Sequence, residues 1–161
     1  MIPDIGGVSN AKIVSYQDAS FANLRGGGSQ GGYIIFVLGE NSKYVPICWK
    51  SKKVKRVVRS TLSAETLALV GSIEECFLIK TMLMEILNLS KDALPIISVT
   101  DNASLVESAY STKTLADKRL NFDMCIIRQM LSNNEVNEIR WIENGDQIAD
   151  CLAEKGASNV K

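Results

Sequence analysis

Four carboxylates occupy positions from which they could act together on a metal ion. Asp18 and Asp101 each follow a run of alternating apolar residues, so each extends the apolar face of a predicted strand at its carboxyl end. Glu65 lies on or beside the apolar stripe of a predicted helix, and Asp150 follows the last predicted strand. Because burying a lone carboxylate costs several kcal/mol, a buried one predicts a charged or hydrogen-bonded partner.

Converging carboxylates repel one another, and hard divalent cations are the usual remedy. A site built from oxygen atoms alone, without histidine or cysteine, selects Mg²⁺ or Mn²⁺ over zinc. Two such ions about 4 Å apart can activate a water and stabilise the leaving oxygen of a phosphodiester. The alternative is that these are four of eighteen acidic residues and serve as strand-end caps and surface charges. Position in the sequence leaves both interpretations open.

The amino-acid composition excludes several kinds of catalytic and metal site and indicates the class of protein. The chain has no histidine, which excludes Ser-His-Asp and Cys-His nucleophile pairs and histidine-based metal sites. Its 161 residues are 46% hydrophobic with a formal net charge of zero, which predicts one soluble domain. The longest apolar run, 33–38, is too short to cross a bilayer, and the start lacks the features of a signal peptide, so we expect an intracellular protein without membrane association. Four scattered cysteines predict free thiols: Cys48, Cys76, Cys125 and Cys151.

Periodicity predicts an α/β domain with a five-stranded mixed sheet and helices packed on it. Three strands open the fold as an antiparallel meander, a glycine-rich hairpin turn at 26–32 joins the first two, and Asp146 is predicted to cap the last helix. We expect strands at 11–17, 33–38, 45–51, 96–100 and 136–142, and helices within 61–89 (one or two), 104–110, 117–131 and 147–154. Residues 1–10 are interpreted as a linker or the tail of a preceding domain, 11–157 as the domain, and 158–161 as a C-terminal tail.

Several blocks, in order along the chain, closely resemble the ribonuclease H (RNase H) domain of Ty1/copia-type retrotransposon polyproteins. The similarity extends from about residue 12 to residue 157. The blocks are 16–23 (Tyr-Gln-Asp-Ala-Ser-Phe-Ala-Asn), 29–33 (Ser-Gln-Gly-Gly-Tyr), 49–52 (Trp-Lys-Ser-Lys), 60–65 (Ser-Thr-Leu-Ser-Ala-Glu), 100–104 (Thr-Asp-Asn-Ala-Ser) and 148–150 (Ile-Ala-Asp).

The resemblance implies an RNase H-like fold and an endoribonuclease that hydrolyses the RNA strand of an RNA–DNA hybrid with two Mg²⁺ ions, or with Mn²⁺. It also implies a reverse transcriptase domain in the same polyprotein and a location in the cytoplasm, within element particles, or in the nucleus. Asp18 matches the family's first-strand ligand, Glu65 the acid of the first long helix, Asp101 the ligand ending the fourth strand, and Asp150 the acid of the closing helix.

Two departures from the resemblance concern histidine. Many RNase H domains carry a histidine between the last strand and the last helix, where this chain has 143–146, and copia-type elements often have one where this chain has Asn121. Neither position is a metal ligand, so these departures predict slower turnover or altered metal dependence.

A basic run precedes the helix of Glu65 and is a candidate for binding nucleic acid. Its six charges within ten residues could contact phosphates without reading sequence, although a solvated charge run without a partner is the alternative. Ser60 and Thr61 could donate hydrogen bonds beside it, and Ser63 and Asn102 are candidates for the 2′-hydroxyl contact that distinguishes RNA from DNA. The basic residues are Lys50, Lys52, Lys53, Lys55, Arg56 and Arg59.

Two competing functions remain at this point. One is a catalytically decayed or non-enzymatic nucleic-acid-binding module that supports a polymerase domain. The other is a different nuclease on the same fold, because a fold does not fix the substrate. Trp49 and Trp141 are expected to pack in the core, although Trp49 borders the basic run, and Cys151 is expected to face the core with Ile148 and Leu152.

Overall fold

The computed structural model describes residues 6–40 and 42–154. Five strands form one mixed sheet in the order β3-β2-β1-β4-β5. No helix within the described ranges has the length and apolarity needed to cross a bilayer. The elements are β1 (Lys12–Ser20), β2 (Gln30–Leu38), β3 (Tyr44–Lys53), α1 (Thr61–Leu87), β4 (Ile96–Thr100), α2 (Ala103–Tyr110), α3 (Lys118–Ser132), β5 (Glu138–Trp141) and α4 (Asp150–Ala153).

The two central strands bring distant parts of the chain together. Strand β1 pairs antiparallel with β2 and parallel with β4, and the last parallel pair joins Tyr16 to Val99. Two residues further along each strand are Asp18 and Asp101, which therefore lie at the same end of the sheet and on the same face. A buried hydrogen bond of 2.9 Å between the hydroxyls of Ser15 and Ser98 links these strands on the opposite face.

The two faces of the sheet are covered unequally. Helices α1, α2 and α3 bury one face around a core that includes Ile13, Leu69, Ile96 and Met124. The short helix α4 packs on the other face, at the end where Asp18 lies. The rest of that face forms an open groove of about 450 Å³, whose lining is largely apolar: Val14, Tyr16, Ile34, Phe36, Leu38, Tyr44 and Ile148.

The observed architecture confirms the predicted α/β class, the mixed sheet and the opening meander. The predicted helix at 61–89 is a single helix, capped by the Ser60 side chain and ended by Asn88 in the left-handed region at φ 50°. Residues 1–5 of the predicted linker at 1–10, and the whole predicted tail at 158–161, lie outside the described residues.

The glycine-rich turn was predicted too long. Gly31 and Gly32 belong to strand β2, and only the segment before Gln30 forms the connection. The physical reason is close packing on both faces: a Cβ atom at Gly31 would lie 3.4 Å from Ala68 of α1, and one at Gly32 would lie 2.5 Å from the Leu152 Cβ atom of α4. Glycine is therefore needed at position 32 for the contact between the sheet and α4, whereas a methyl group at position 31 would meet α1 at an ordinary contact distance.

The last helix is much shorter than predicted. A 3₁₀ turn at Asn144–Asp146 is followed by Gln147 in an extended conformation, and α4 begins only at Asp150. Asp146 lies inside the turn, so the predicted cap is wrong, and the residue before α4, Ala149, makes no side-chain cap hydrogen bond. The backbone at Gln147 is extended, so the helix does not include this residue.

Two expectations about packing are also wrong. Trp49 and Trp141 are exposed, with 63% and 49% of their surface accessible, because β3 and β5 are the edge strands of the sheet. Cys151 and Ile148 are exposed as well, since Ile148 precedes α4 and the helical periodicity does not extend to it. The described cysteines are free thiols, as predicted.

Candidate active site

Three of the four candidate carboxylates converge at the end of the central strands. Asp18 comes from β1, Glu65 from the second turn of α1, and Asp101 from the residue after β4. One carboxylate oxygen from each lies within 4.8 Å of the others, and Asp18 and Glu65 are buried. We call these three residues the carboxylate cluster. Its spacing is that of groups able to share a cation.

The chemistry of Glu65 follows from its burial. Its Oε1 atom accepts a hydrogen bond of 3.2 Å from the main-chain N–H of Ala19, while its Oε2 atom has no hydrogen-bond partner among the described residues. Burial, and after it the charge of Asp18, raises the pKa of Glu65 to about 9. Without a cation, the carboxyl of Glu65 is therefore protonated at neutral pH.

The pKa of Asp18 is raised from its ordinary value as well. Burial is the largest cause, a hydrogen bond with the Glu65 side chain opposes it, and the charges of Asp101 and Asp150 add to it. Asp150 is the first residue of α4 and is exposed. It does not belong to the group of three carboxylates that meet within 4.8 Å. The fourth candidate therefore acts on Asp18 electrostatically, from the margin of the cluster.

Side chains of three strands hold the end of α4 against the sheet. The carbonyl oxygen of Leu152 accepts hydrogen bonds from Ser51 and Gln30, and that of Ala153 accepts one from Ser20. These bonds satisfy the last carbonyls of the helix, which have no partner within it. Gly32 permits the approach, as described above.

Gln147 was not among the residues predicted from the sequence, and it connects the strand of Asp18 to the segment before Asp150. The Gln147 side chain donates from Nε2 to the main-chain oxygen of Gln17 at 3.0 Å, and its Oε1 accepts from the main-chain N–H of Ala149 at 3.2 Å. Gln147 is buried. The only signal in the sequence is its place three residues before Asp150, which by itself is weak.

Main-chain contacts also fix the segment around Asp101. The indole N–H of Trp141 donates to the carbonyl oxygen of Asp101 at 3.0 Å. The next residue, Asn102, caps α2 by accepting a hydrogen bond of 3.0 Å from the N–H of Leu105, and its own N–H donates to the Thr100 hydroxyl at 3.2 Å. The predicted contact of Asn102 with a 2′-hydroxyl stays a prediction, and in the structure its Oδ1 atom is already bonded.

Some residues of the basic run form ion pairs in the structure and others do not. Lys50 forms an ion pair with Glu75 at 3.4 Å, and Arg56 pairs with Asp123. Arg59 is one of the charges that lower the pKa of Asp117, after the hydrogen bond from the Leu120 N–H. The run therefore retains three exposed lysines without an ion pair among the described residues, Lys52, Lys53 and Lys55.

These three lysines, which we call the lysine group, lie near the carboxylate cluster. Gly31 pairs with Ala19 on one side and Lys52 on the other, one residue past Asp18. Two strand spacings of about 4.8 Å place the Lys52 backbone about 10 Å from that of Ala19. All three lysines line a groove of about 230 Å³ between β3 and α1. A nucleic-acid backbone lying there would pass close to the cluster.

The predicted hydroxyl donors at the start of α1 differ in their exposure and in their hydrogen bonds. Ser60 caps the helix by accepting from the Ser63 N–H at 3.1 Å, and the two hydroxyls lie 3.0 Å apart. Ser63 is buried, whereas Thr61 is exposed. Of these side chains, Thr61 is the one available to a ligand without rearrangement.

The carboxylate cluster fits a hard divalent cation. Its donors are all oxygen, its Glu65 Oε2 atom is buried without a partner, and its charges repel one another. A cation there would favour the ionised form of Glu65, whose pKa is raised in its absence.

No protein-family model matches the chain, and no curated protein sequence matches it. Solved structures do match. LC11-RNase H1, isolated from compost by a metagenomic approach, has a TM-score of 0.62 at 17% identity, covering 88% of this chain and 91% of that one. RNase H1 from the halophilic archaeon Halobacterium salinarum has a TM-score of 0.59 at 15% identity, covering 88% and 94%. A foamy viral protease-reverse transcriptase in complex with an RNA/DNA hybrid has a TM-score of 0.62 at 15% identity, covering 98% of this chain and 21% of that one.

These similarities identify the fold. The chain has the RNase H-like fold, as the resemblance in its sequence implied. At these identities the comparison establishes the arrangement of strands and helices, and function must be argued from the site.

Proposed function

We propose that this chain is an RNase H, an endoribonuclease that hydrolyses the RNA strand of an RNA–DNA hybrid. The observation that carries the proposal is the convergence of Asp18, Glu65 and Asp101 within 4.8 Å on an RNase H-like fold. Solved structures similar to this chain include LC11-RNase H1 in complex with an RNA/DNA hybrid, which supports the same class of substrate.

In this proposal Asp18, Glu65, Asp101 and Asp150 hold two Mg²⁺ ions, or Mn²⁺. When bound, such ions activate the attacking water and stabilise the leaving oxygen of the phosphodiester. Asp18 and Asp101 are fixed by adjacent parallel strands, and Glu65 by α1, so the three donors are already in place. Glu65 must release its proton before it can act as a ligand.

The lysine group is proposed to position the hybrid. Its charges are exposed, unpaired among the described residues and about 10 Å from the strand that carries Asp18, by the strand spacing. Contacts to phosphate position a duplex without reading its sequence, as expected for an enzyme that cleaves hybrids of many sequences. Arg56, Lys50 and Arg59 contribute less, because acidic side chains compensate them.

We further propose that the domain belongs to a Ty1/copia-type retrotransposon polyprotein, following a reverse transcriptase. The ordered blocks described above support this origin. The foamy viral protein provides an example in which a domain of this fold occupies part of a protease-reverse transcriptase chain.

Cleavage of an end-labelled hybrid tests the proposed activity. The wild type is incubated with an RNA–DNA hybrid, duplex DNA or duplex RNA, in Mg²⁺, Mn²⁺ or EDTA, beside Asp101→Asn. We expect metal-dependent cutting of the RNA strand of the hybrid alone, and its loss in the variant. Hybrid binding in Ca²⁺ should be nearly unchanged in Asp101→Asn, because the lysine group is intact.

The outcomes separate the competing functions. Cutting of duplex DNA or duplex RNA would indicate another nuclease on this fold. Binding of the hybrid without cutting in either metal would favour the non-enzymatic module that supports a polymerase. Equal loss of binding and cutting in Asp101→Asn would contradict the separation between the metal site and the lysine group.

A further inference from the structure

We propose that Gln147 is a positioning residue that holds Asp150 in register with Asp18. Its side chain bonds the main chain of Gln17 at 3.0 Å and that of Ala149 at 3.2 Å. Gln17 and Ala149 are the residues immediately before Asp18 and Asp150. One amide side chain thus connects the backbone beside the first carboxylate to the backbone beside the fourth. The inference rests on the proposed function, because it assigns Asp150 to the same metal site.

The two bonds define the orientation of the amide. The Gln17 carbonyl can only accept and the Ala149 N–H can only donate, so both bonds form only with Nε2 toward Gln17 and Oε1 toward Ala149. Gln147 is 7% exposed, so loss of either bond would leave a polar group with little access to water. The position therefore selects an amide of this length.

Gln147 lies beside the point in β1 where the pairing with β4 ends, and just before the start of α4. The parallel pairing of β1 with β4 stops at Tyr16, one residue before the carbonyl that Gln147 contacts. On the other side α4 begins three residues after Gln147, without a side-chain cap. Among the described residues, the hydrogen bond that joins the segment before Asp150 to β1 beside Asp18 is the one from the Gln147 side chain.

The rest of α4 is held from its opposite end. Hydrogen bonds from Ser51, Gln30 and Ser20 reach the carbonyls of Leu152 and Ala153, at the end of the helix away from Asp150. They dock the end of α4 on the sheet and leave the position of Asp150, its first residue, to be fixed by the segment before it.

The test replaces the amide without changing its length. Gln147→Met keeps a side chain of similar size but makes neither bond, and Gln129→Met, at an exposed position on α3, is the matched control. Mn²⁺ binding is measured by calorimetry, hybrid cleavage by gel, and backbone amide exchange over Ala149–Ala153 by mass spectrometry. We expect about tenfold weaker Mn²⁺ binding in Gln147→Met, faster exchange at these amides, and no change in the control.

A double-mutant cycle separates positioning from general stability. In an Asp150→Asn background, adding Gln147→Met should change Mn²⁺ binding by less than about twofold, because the group it positions is already gone. An equal loss in both backgrounds would overturn the proposal, since Gln147 would then act on the fold or on the cluster of three. Unchanged Mn²⁺ binding in Gln147→Met would overturn it as well.

A second variant keeps the test decisive if Gln147→Met does not fold. Gln147→Asn keeps a neutral amide but is one methylene too short to make both bonds, and it should weaken Mn²⁺ binding in the same direction. Wild-type Mn²⁺ binding in a folded Gln147→Asn variant would contradict the role. If the wild type binds Mn²⁺ and Gln147→Met does not, but neither cleaves hybrid, the positioning role stands and the proposed nuclease fails.

Discussion

The indole N–H of Trp141 and the main-chain oxygen of Asp101 lie 3.0 Å apart and form a hydrogen bond across the end of the sheet. Trp141 belongs to the edge strand β5, and Asp101 follows β4, which pairs with it. The bond therefore fixes the backbone that carries one member of the carboxylate cluster, although the tryptophan itself is half exposed.

Trp141→Phe should loosen this support while retaining an aromatic ring. A hydrogen bond contributes about 1 kcal/mol net, so we expect Mn²⁺ binding to weaken by roughly fivefold and thermal stability to fall slightly. Calorimetry and thermal melts check this. Trp49→Phe is the control, because Trp49 is exposed on the other edge strand and its indole has no bond within the described ranges. Equal effects of the two substitutions would show that the bond to Asp101 is irrelevant.

Neutralising the lysine group should weaken hybrid binding and flatten its salt dependence. Replacing Lys52, Lys53 and Lys55 by Gln removes up to three phosphate contacts, and each contributes about 0.9 to the slope of log K against log salt. Fluorescence anisotropy in Ca²⁺ at several salt concentrations measures that slope. The control triple carries Gln at three exposed lysines toward the opposite end of the sheet: Lys12, Lys43 and Lys91. An unchanged slope in the first triple would place the binding surface elsewhere.

Stability without metal should fall as pH rises, because of Glu65. Its pKa is about 9 in the folded protein against an ordinary 4.5, so the folded state holds a proton that the unfolded chain releases above pH 4.5. The contribution of the protonated Glu65 to the free energy of unfolding is therefore fully present below pH 4.5 and is lost progressively up to about pH 9. Glu65→Gln, which mimics the protonated form, should melt higher than the wild type at pH 8 in EDTA and nearly equally at pH 4.5.

The comparison of wild type with Glu65→Gln needs two further measurements. Glu107→Gln, at an exposed carboxylate on α2, controls for the loss of one charge. Adding Mg²⁺ at pH 8 should stabilise the wild type more than Glu65→Gln. Melting curves of wild type and Glu65→Gln that shift in parallel across this pH range would show that Glu65 is not the group responsible.

The adjacent glycines of β2 provide a matched pair for testing how α4 docks. Gly32→Ala would place a Cβ atom 2.5 Å from Leu152, so α4 must move, at a cost of about 1–3 kcal/mol, and Asp150 should move with it. Gly31→Ala would place a Cβ atom 3.4 Å from Ala68 and 3.8 Å from Val54, which are ordinary contact distances, and should be nearly neutral. Urea unfolding and Mn²⁺ calorimetry measure both effects. A neutral Gly32→Ala would mean that the close contact with Leu152 is not required.

Local patterns in the sequence placed the central carboxylates within their strands and helix but left open whether they meet. Strand alternation put Asp18 and Asp101 at the ends of apolar faces, and helical periodicity put Glu65 beside the stripe that faces the sheet; the fold pairs the two strands in parallel. These inferences succeed because alternation and helical spacing are properties of neighbouring residues.

Contacts between distant residues could not be predicted in this way. The role of Gln147 depends on its lying beside Gln17, 130 residues earlier, and the need for glycine at 32 depends on α4. The pairing of Arg56 with Asp123 likewise joins residues 67 positions apart. A run of basic residues is visible in the sequence, but its compensation by acidic residues is decided by the fold.

The parallel pairing of β1 with β4 also bears on how the protein folds. The hydrogen bond between Ser15 and Ser98 joins residues 83 positions apart, and Asp18 and Asp101 are separated by the same interval. The chain must close that loop, with α1 inside it, before the two carboxylates can meet, and contacts of such long range slow folding. Cation binding in a refolding experiment should therefore report a late kinetic step, after the local β1–β2 hairpin and α1 have formed.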